Sequence, residues 1–503
     1  MTTGIHHITA ITRNVQKNVD FWMGFLGLHL VKQTAGFEDG AQLHLFYGDA
    51  EGRPGTLVSF LVWQDGASGR VGLGQVSEIS LTVPQETIGD WLSRALSAGV
   101  PVQGPAREAG ETVLRLKDPD GITVRLVGAD GPMRIHSATL LTDRPDETAA
   151  FVTRFGYRRA GQDGPVMRLE SDTDAVLIRA AAGYVPGVPG TGIVDHVAFR
   201  APDLDALRAM RLALKDHDGV THVHDRKYFT SLYVREPGGV LIEYATDAPG
   251  MGVDEAPGHL GETLMIPPHD AARADDLRVQ LPQFARPGEE RMPMRDLPFI
   301  HRFHTPADPD GSTIVLLHGT GGDETDLMPL AARINPRAVL LGLRGRSTEE
   351  GINRWFRRFD AVTYDQADIR AESEAFAAFV KGAVSAYGLD AGRISFLGYS
   401  NGANLLAAAM RLHPGLIHRA ILLRAVEALE AAPAVDLTGA QVLMLNGQND
   451  PFARMAAPLE NALRAGGAAL DARTIAAGHE LNGQDLTIAQ DWLHGQDASG
   501  GDI

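Results

Sequence analysis

The chain has 503 residues, 44% apolar and 22% charged, which at ~100–200 residues per domain suits two to four well-cored domains and excludes a disordered or fibrous polymer. Its 63 Asp and Glu outnumber 46 Lys and Arg, leaving a formal charge of -17 and no basic stripe, so nucleic acid is excluded as a partner. There are no cysteines, which removes disulfides, thiolate metal sites and thiol nucleophiles, and leaves His, Asp and Glu to hold any metal.

Residues 1–7 lack a basic, then apolar, leader pattern, and no apolar run approaches the ~18 residues of a membrane span, so a cytoplasmic protein without membrane contact is expected. From Gly4 onward the chain repeats itself. Glu78-Ile79-Ser80-Leu81-Thr82-Val83-Pro84 aligns with His196-Val197-Ala198-Phe199-Arg200-Ala201-Pro202 at a shift of 118 positions. The same shift aligns Asp118-Pro119-Asp120-Gly121-Ile122-Thr123-Val124-Arg125 with Glu236-Pro237-Gly238-Gly239-Val240-Leu241-Ile242-Glu243. Units on the same plan open at Ile5-His6-His7-Ile8-Thr9 and Ile135-His136-Ser137-Ala138-Thr139, so residues 4–246 read as four modules. Each begins with an alternating strand and continues into an amphipathic helix, such as the one carrying Leu204, Leu207, Met210 and Leu214. Each closes with strands around an acidic Pro-Gly turn, a βαβββ plan. Modules one and two are assigned to residues 1–128, and modules three and four with a tail to 129–283.

A Pro- and Gly-rich stretch over 248–295 supplies that tail and a linker, placed at 284–298. From Phe299 to residue 495 strands alternate with helices, starting from the buried strand Thr313-Ile314-Val315-Leu316-Leu317, and this alternation predicts a doubly wound parallel sheet. Residues 496–503 read as a polar tail.

Positions that can face a shared cavity lie on the first and last strands of each module. The first-strand position carries His7, Glu78, Ser137 and His196 in turn; the last-strand position carries Ser59, Arg125, Arg179 and Glu243. Modules one and four therefore pool His7, His196 and Glu243, while modules two and three pool two arginines and no histidine. Two imidazoles and one carboxylate, with Ser59 in the fourth place, form the set that leaves open positions on Fe(II). A zinc site would be expected to show a further protein ligand at Ser59, so iron is preferred, and Mn(II) is also compatible. Strand alternation turns His6 away from the metal unless local twist returns it toward substrate. His222 and His224, flanking a hairpin, are expected to be solvated.

On Gly4-Ile5-His6-His7-Ile8-Thr9, Asp195-His196-Val197-Ala198, Leu241-Ile242-Glu243-Tyr244 and Leu260-Gly261-Glu262-Thr263-Leu264, residues 4–283 resemble the ring-cleaving dioxygenases of the vicinal-oxygen-chelate superfamily, in particular those that open hydroquinones. The resemblance implies Fe(II) ligands from modules one and four, a small aromatic diol and O2 as substrates, and roles for Arg226, Tyr233 and His6 near the substrate hydroxyls. Physically, Arg226 could orient an aryl oxide and Tyr233 could relay a proton.

In the C-terminal region, Gly398-Tyr399-Ser400-Asn401-Gly402 lies between an apolar strand and an alanine-rich helix, the context a G-x-S-x-G nucleophile needs. Chain order then asks for an acid and a histidine. Asp450 follows a strand on a Gly-x-x-Asp turn, unlike Asp471 or Glu480, and His479 follows another strand. Upstream, Leu317-His318-Gly319-Thr320-Gly321-Gly322-Asp323 ends the first strand as an oxyanion loop should, so the backbone N–H groups of Thr320 and Asn401 are the expected oxyanion donors. Residues 299–495 resemble the small carboxylesterase and phospholipase group of α/β-hydrolases. The resemblance implies little or no lid and an acyl pocket at Arg354-Trp355-Phe356-Arg357.

These readings combine into a bifunctional enzyme, an Fe(II)-dependent ring-cleaving dioxygenase acting on hydroquinones or catechols and fused to a serine carboxylesterase. The ester would be a related aryl ester or a cleavage product. Two rivals use the same residues: a glyoxalase-like metal isomerase or lyase, distinguished by independence from O2, and an aromatic-binding module, in which His7→Ala spares all turnover. A homo-oligomer is compatible with the sequence.

Overall fold

In the computed structural model the alternating first strand of every module pairs in parallel with the last strand of the same module. Residues 3–217, 219–291 and 296–499 are described. They fall into two units, one of Met1–Ala274 with Phe284–Glu290, the other of Asp275–Gln283 with the chain from Arg291.

Within the first unit the register is nearly constant. Thr9 pairs with Ser59, Ser80 with Arg125, and Ala198 with Glu243, each two residues beyond the first-strand position. In module three the equivalent pair is Thr139 with Leu177, so Leu177, not Arg179, occupies the last-strand position; Arg179 pairs with Leu141. A period-two strand keeps both residues on one face, which is why charge alone slid the alignment by one pleat. The first strands then join antiparallel across modules: Ile8 opposes Val197, and Ile79 opposes Ala138. Module one thus closes on module four and module two on module three, so each assigned segment, 1–128 and 129–283, contributes one module to each cavity.

The acidic turn residues are structural. Asp118 accepts the N–H groups of Asp120 and Ile122 at 3.0 and 2.8 Å, and Glu236 accepts those of Gly238 and Val240 at 2.8 and 2.9 Å. The tail docks on module one: Leu264–Met265 pairs with Gln33 and Thr34, and buried Lys32 is held by Asp254 at 2.7 Å and by Glu255. Gly261 permits this approach, since it sits at φ +73° and a Cβ there would lie 2.2 Å from the Leu30 carbonyl oxygen. Phe284–Glu290, expected in the linker, belong to the first unit, where the Gln16 side chain clasps Ala285 through two 2.8 Å hydrogen bonds. Residues 292–295 lie outside the described residues.

The second unit has a seven-stranded sheet in the order His301–His304, Val339–Leu343, Thr313–Leu317, Ile394–Tyr399, Arg419–Leu423, Gln441–Gly447, Ala469–Ile475, parallel except for the first. Met328–Ile334 and Gly483–Ser499 cover one face through Met328, Ala331, Ile334, Trp492 and Leu493. Gln366–Tyr387, Asn401–Leu412 and Ala456–Ala465 cover the other. Asp275–Gln283 belong here rather than to the first region's tail, with Val279 against the first of these faces. The last helix runs to Ser499, past the expected start of a polar tail at 496, and residues 500–503 lie outside the described set. The strand order reverses at Thr313–Leu317 and Ile394–Tyr399, and the carboxyl ends of such a switch point are where doubly wound sheets bind ligands. Among the described residues, no helix is long and apolar enough to cross a membrane.

Candidate active sites

The antiparallel pairing of modules one and four brings His7 and His196 together over Glu243, on the strand Leu241–Pro249. His7 Nε2 and His196 Nε2 lie 2.9 and 3.0 Å from Glu243 Oε2, and the three residues are 1%, 6% and 0% exposed. Among the described residues, theirs is the cluster of His and acidic groups whose ligand atoms lie within 4.8 Å of one another. His196 Nε2 and both Glu243 oxygens are buried without hydrogen-bond geometry to any partner. A buried carboxylate without hydrogen bonds is costly, and a cation meeting all three groups removes that cost, so the residues fit a metal. Asp195 accepts from His196 Nδ1 at 2.7 Å, which leaves Nε2 as the ligand atom. Burial lowers the His196 pKa, but the Asp195 and Glu243 carboxylates outweigh it and raise it to about 9; a metal would replace that proton. Glu243, despite burial, is held well below the usual carboxylate range by His7 and His196.

His6 does not face away as alternation suggests. A bulge between Ile5 and His7 in the pairing with Val194–Ala201 breaks the alternation, and His6 Nδ1 lies 2.9 Å from His7 Nδ1, with both rings 5.2 Å from Phe229. Its Nε2 is buried and unpartnered. Tyr233 sits beside Glu243 in register, its ring 5.4 Å from that of His196, and burial pushes its phenol up. Arg226 lies over the Tyr233 ring at 5.5 Å and is anchored to Glu38 at 2.7 Å. Ser59 is fully buried, with its hydroxyl 2.8 Å from Thr9 Oγ1 and 3.1 Å from His44 Nε2. His44, on the strand Leu43–Gly48, was not singled out from sequence; its pKa is lowered to about 3 by burial and by His7 and His196. The signal was present, since His44 stands between Leu43 and Leu45 in an alternating strand. His224 is half-buried and His222 accepts from Arg211 at 3.1 Å.

The repeat-equivalent cavity of modules two and three, of about 640 Å³, is lined by Glu78, Arg125, Thr139, Leu177 and Arg179 among others. Arg115 pairs there with Glu78 at 2.8 Å.

In the second unit, Ser400 follows the strand Ile394–Tyr399 at φ +52°, ψ -115° and opens the helix Asn401–Leu412. His479 Nε2 lies 2.9 Å from Ser400 Oγ, and His479 Nδ1 lies 2.8 Å from Asp450 Oδ2. Asp450 is buried and takes the Phe452 N–H on its other oxygen at 2.8 Å, whereas Asp471 pairs with Arg473 and Glu480 is exposed. Thr320 and Asn401 line a cavity of about 240 Å³ with Ser400. The Asn401 N–H, in the first turn of its helix, has no carbonyl four residues back to serve. Of the expected acyl-pocket segment, Arg354 and Phe356 line the cavity, joined by Arg358 just beyond it. Trp355 instead donates its indole N–H to the His318 carbonyl at 2.8 Å, and Arg357 turns to Asp365 and Asp368.

Arg424 and Asp485 were not foreseen. Both are fully buried, joined at 2.7 and 2.9 Å, and Arg424 also donates to the carbonyls of Gly478 and Glu480, which flank His479.

Residues 4–126 and 134–244 match the model of the Glyoxalase/Bleomycin resistance protein/Dioxygenase superfamily. The chain is 36% identical over 310 residues to a Bacillus subtilis (strain 168) protein that carries the name ring-cleaving dioxygenase MhqO, covering 58% of this chain and 98% of that protein. It is 32% identical over 306 residues to the chlorohydroquinone/hydroquinone 1,2-dioxygenase of Sphingobium indicum, covering 54% of this chain and 94% of that one. It is 31% identical over 183 residues to a Bacillus subtilis (strain 168) protein that carries the name hydrolase MhqD, covering 36% of this chain and 92% of that protein.

Proposed function

Since the chain belongs to the Glyoxalase/Bleomycin resistance protein/Dioxygenase superfamily, we propose that it is a bifunctional enzyme, an Fe(II)-dependent dioxygenase that opens hydroquinone rings and a serine carboxylesterase in one polypeptide. The buried convergence of His7, His196 and Glu243 carries the first half, and the Ser400–His479–Asp450 hydrogen-bond chain carries the second.

Held by His7, His196 and Glu243, Fe(II) would supply electron transfer from an ionised ring oxygen to O2; Mn(II) suits the same donors. Around it, the Tyr233 phenol keeps its proton and can donate it to a substrate oxygen. Arg226 favours the ionised diol by its charge, and His6, buried against His7, supports the ligand ring from behind. Phe46 and Phe229, packed against His7, keep water from its ring. Overall, the C–C bond beside one hydroxyl breaks and both oxygen atoms enter the product. Hydroquinone would yield an open chain with a carboxylic acid at one end and an aldehyde at the other.

In the esterase, Ser400 Oγ attacks the acyl carbon while His479 Nε2 takes its proton, with Asp450 holding the Nδ1–H. The N–H groups of Thr320 and Asn401 bind the oxyanion, removal of one such donor costing about 3 kcal/mol. The alcohol leaves with the proton from His479, and water, activated the same way, frees the acid.

The test is oxygen uptake after anaerobic loading with Fe(II) or Mn(II), on hydroquinone and catechol, beside aryl-ester hydrolysis. Uptake is expected for the wild type with Fe(II) and hydroquinone, and its loss in His7→Ala and Glu243→Ala; Ser400→Ala should lose ester turnover alone. A wild type that turns over esters without consuming oxygen under any loading would sink the dioxygenase.

A further inference from the structure

The cavity beside Ser400 is positive in a chain of formal charge -17. Three arginines line it and no Asp or Glu does. Of these, Arg424 is neutralised by its bidentate pairing with Asp485 at 2.7 and 2.9 Å. Arg354 is 4% exposed, yet its Nε has no hydrogen-bond partner; only Nη1 reaches a carboxylate, Glu349, at 3.3 Å. The same Glu349 oxygen lies 3.4 Å from the Arg358 backbone N–H, so one carboxylate serves this side of the segment. The Arg358 side chain, on an exposed residue, has Asp360 as its electrostatic neighbour, and that carboxylate is already occupied by the N–H groups of Val362 and Thr363 at 2.8 Å. A buried guanidinium whose charge is met by one distant carboxylate contact is costly, and a ligand carboxylate in the cavity that Arg354 lines is the group that offsets it through charge-assisted hydrogen bonds.

We infer that the esterase substrate carries a carboxylate on its acyl side, bound by the cavity-lining side chains of Arg354 and Arg358, so that this unit selects anionic half-esters over neutral esters. The inference rests on the serine-esterase reading above. At about 240 Å³ the cavity falls below the ~300–1,000 Å³ of pockets for larger ligands, which favours a short acid.

The experiment compares kcat/KM for p-nitrophenyl hydrogen adipate and p-nitrophenyl hexanoate, matched in acyl length and differing in the terminal carboxylate. The wild type should favour the adipate about tenfold or more, the scale of a charge-assisted hydrogen bond. That preference should shrink as salt rises from about 0.05 to 0.5 M. Arg354→Gln should reduce the ratio about tenfold, Arg354→Lys less, and Arg358→Gln, at an exposed position where folding is not at stake, by several-fold. Equal turnover of the two esters by the wild type, or a ratio indifferent to salt and to both substitutions, overturns the anionic-substrate inference alone. Absence of turnover on both, or turnover that survives Ser400→Ala, overturns the esterase reading and this inference with it.

Discussion

Ser400 adopts a backbone conformation that costs a non-glycine residue about 1–3 kcal/mol, and close packing around it holds the strain. A Cβ on Gly402 would lie 2.3 Å from the Leu317 carbonyl oxygen, and one on Gly398 would lie 2.8 Å from the Ala403 backbone, so both glycines are needed for the turn to press against the sheet. His479 is fixed from the other side, because Arg424 grips the carbonyls before and after it while Asp485 balances the arginine's charge. Asp485→Ala leaves that guanidinium buried and uncompensated, and should destabilise the second unit by about 3–5 kcal/mol. The milder Asp485→Asn should lower kcat on esters more than it raises KM, since Arg424 grips both neighbours of the histidine and is one of three arginines at the cavity. Urea unfolding and steady-state kinetics check both; a folded Asp485→Asn enzyme with unchanged kcat would remove the positioning role. The triad was legible in the sequence because order and local motif mark it, whereas Arg424 and Asp485, 61 positions apart, belong to no motif.

At the scale of elements, the acidic Pro-Gly turns repeat because each carboxylate substitutes for a missing strand partner. In module two this has a pH consequence. Burial raises the Asp118 pKa to about 7, despite the N–H groups of Ile122 and Asp120 that favour the anion. An unfolded aspartate titrates near ~3.9, so between about pH 4 and 7 the folded state retains a proton the unfolded state has lost, and stability falls as pH rises through that window. Asp118→Asn keeps an oxygen for the two N–H groups and should flatten the slope by about one proton, measured as urea midpoints of the first unit at pH 5 and 7.5. An unaltered slope would show that Asp118 does not carry the dependence. The turn motif itself was readable from the repeat. The bulge at His6 was not, because one extra residue in a pairing leaves no mark in the strand's own sequence pattern and depends on the partner strand.

Across the whole molecule, the two proposed sites share no residue, so their chemistries should separate. A chelator is expected to abolish oxygen uptake and spare ester hydrolysis, while a serine-directed phosphonate does the reverse; loss of both activities to either reagent would contradict this independence. Metal should also raise the thermal transition of the first unit alone, since ligand binding stabilises only the fold that binds it. The four modules, the doubly wound plan, and the order of Ser400, Asp450 and His479 were determined by the sequence alone, because hydrophobic periods and short motifs are local properties of a chain. The pooling of His7, His196 and Glu243 followed from the repeat by the same logic. Tertiary structure decided that Leu177 and not Arg179 sits opposite Thr139, and that His44 binds Ser59. It also decided that Arg358 and not Arg357 lines the esterase cavity. The physical reason in the strand cases is that a period-two pattern specifies a face and leaves register free by one pleat, and only the partner strand, distant in sequence, fixes it.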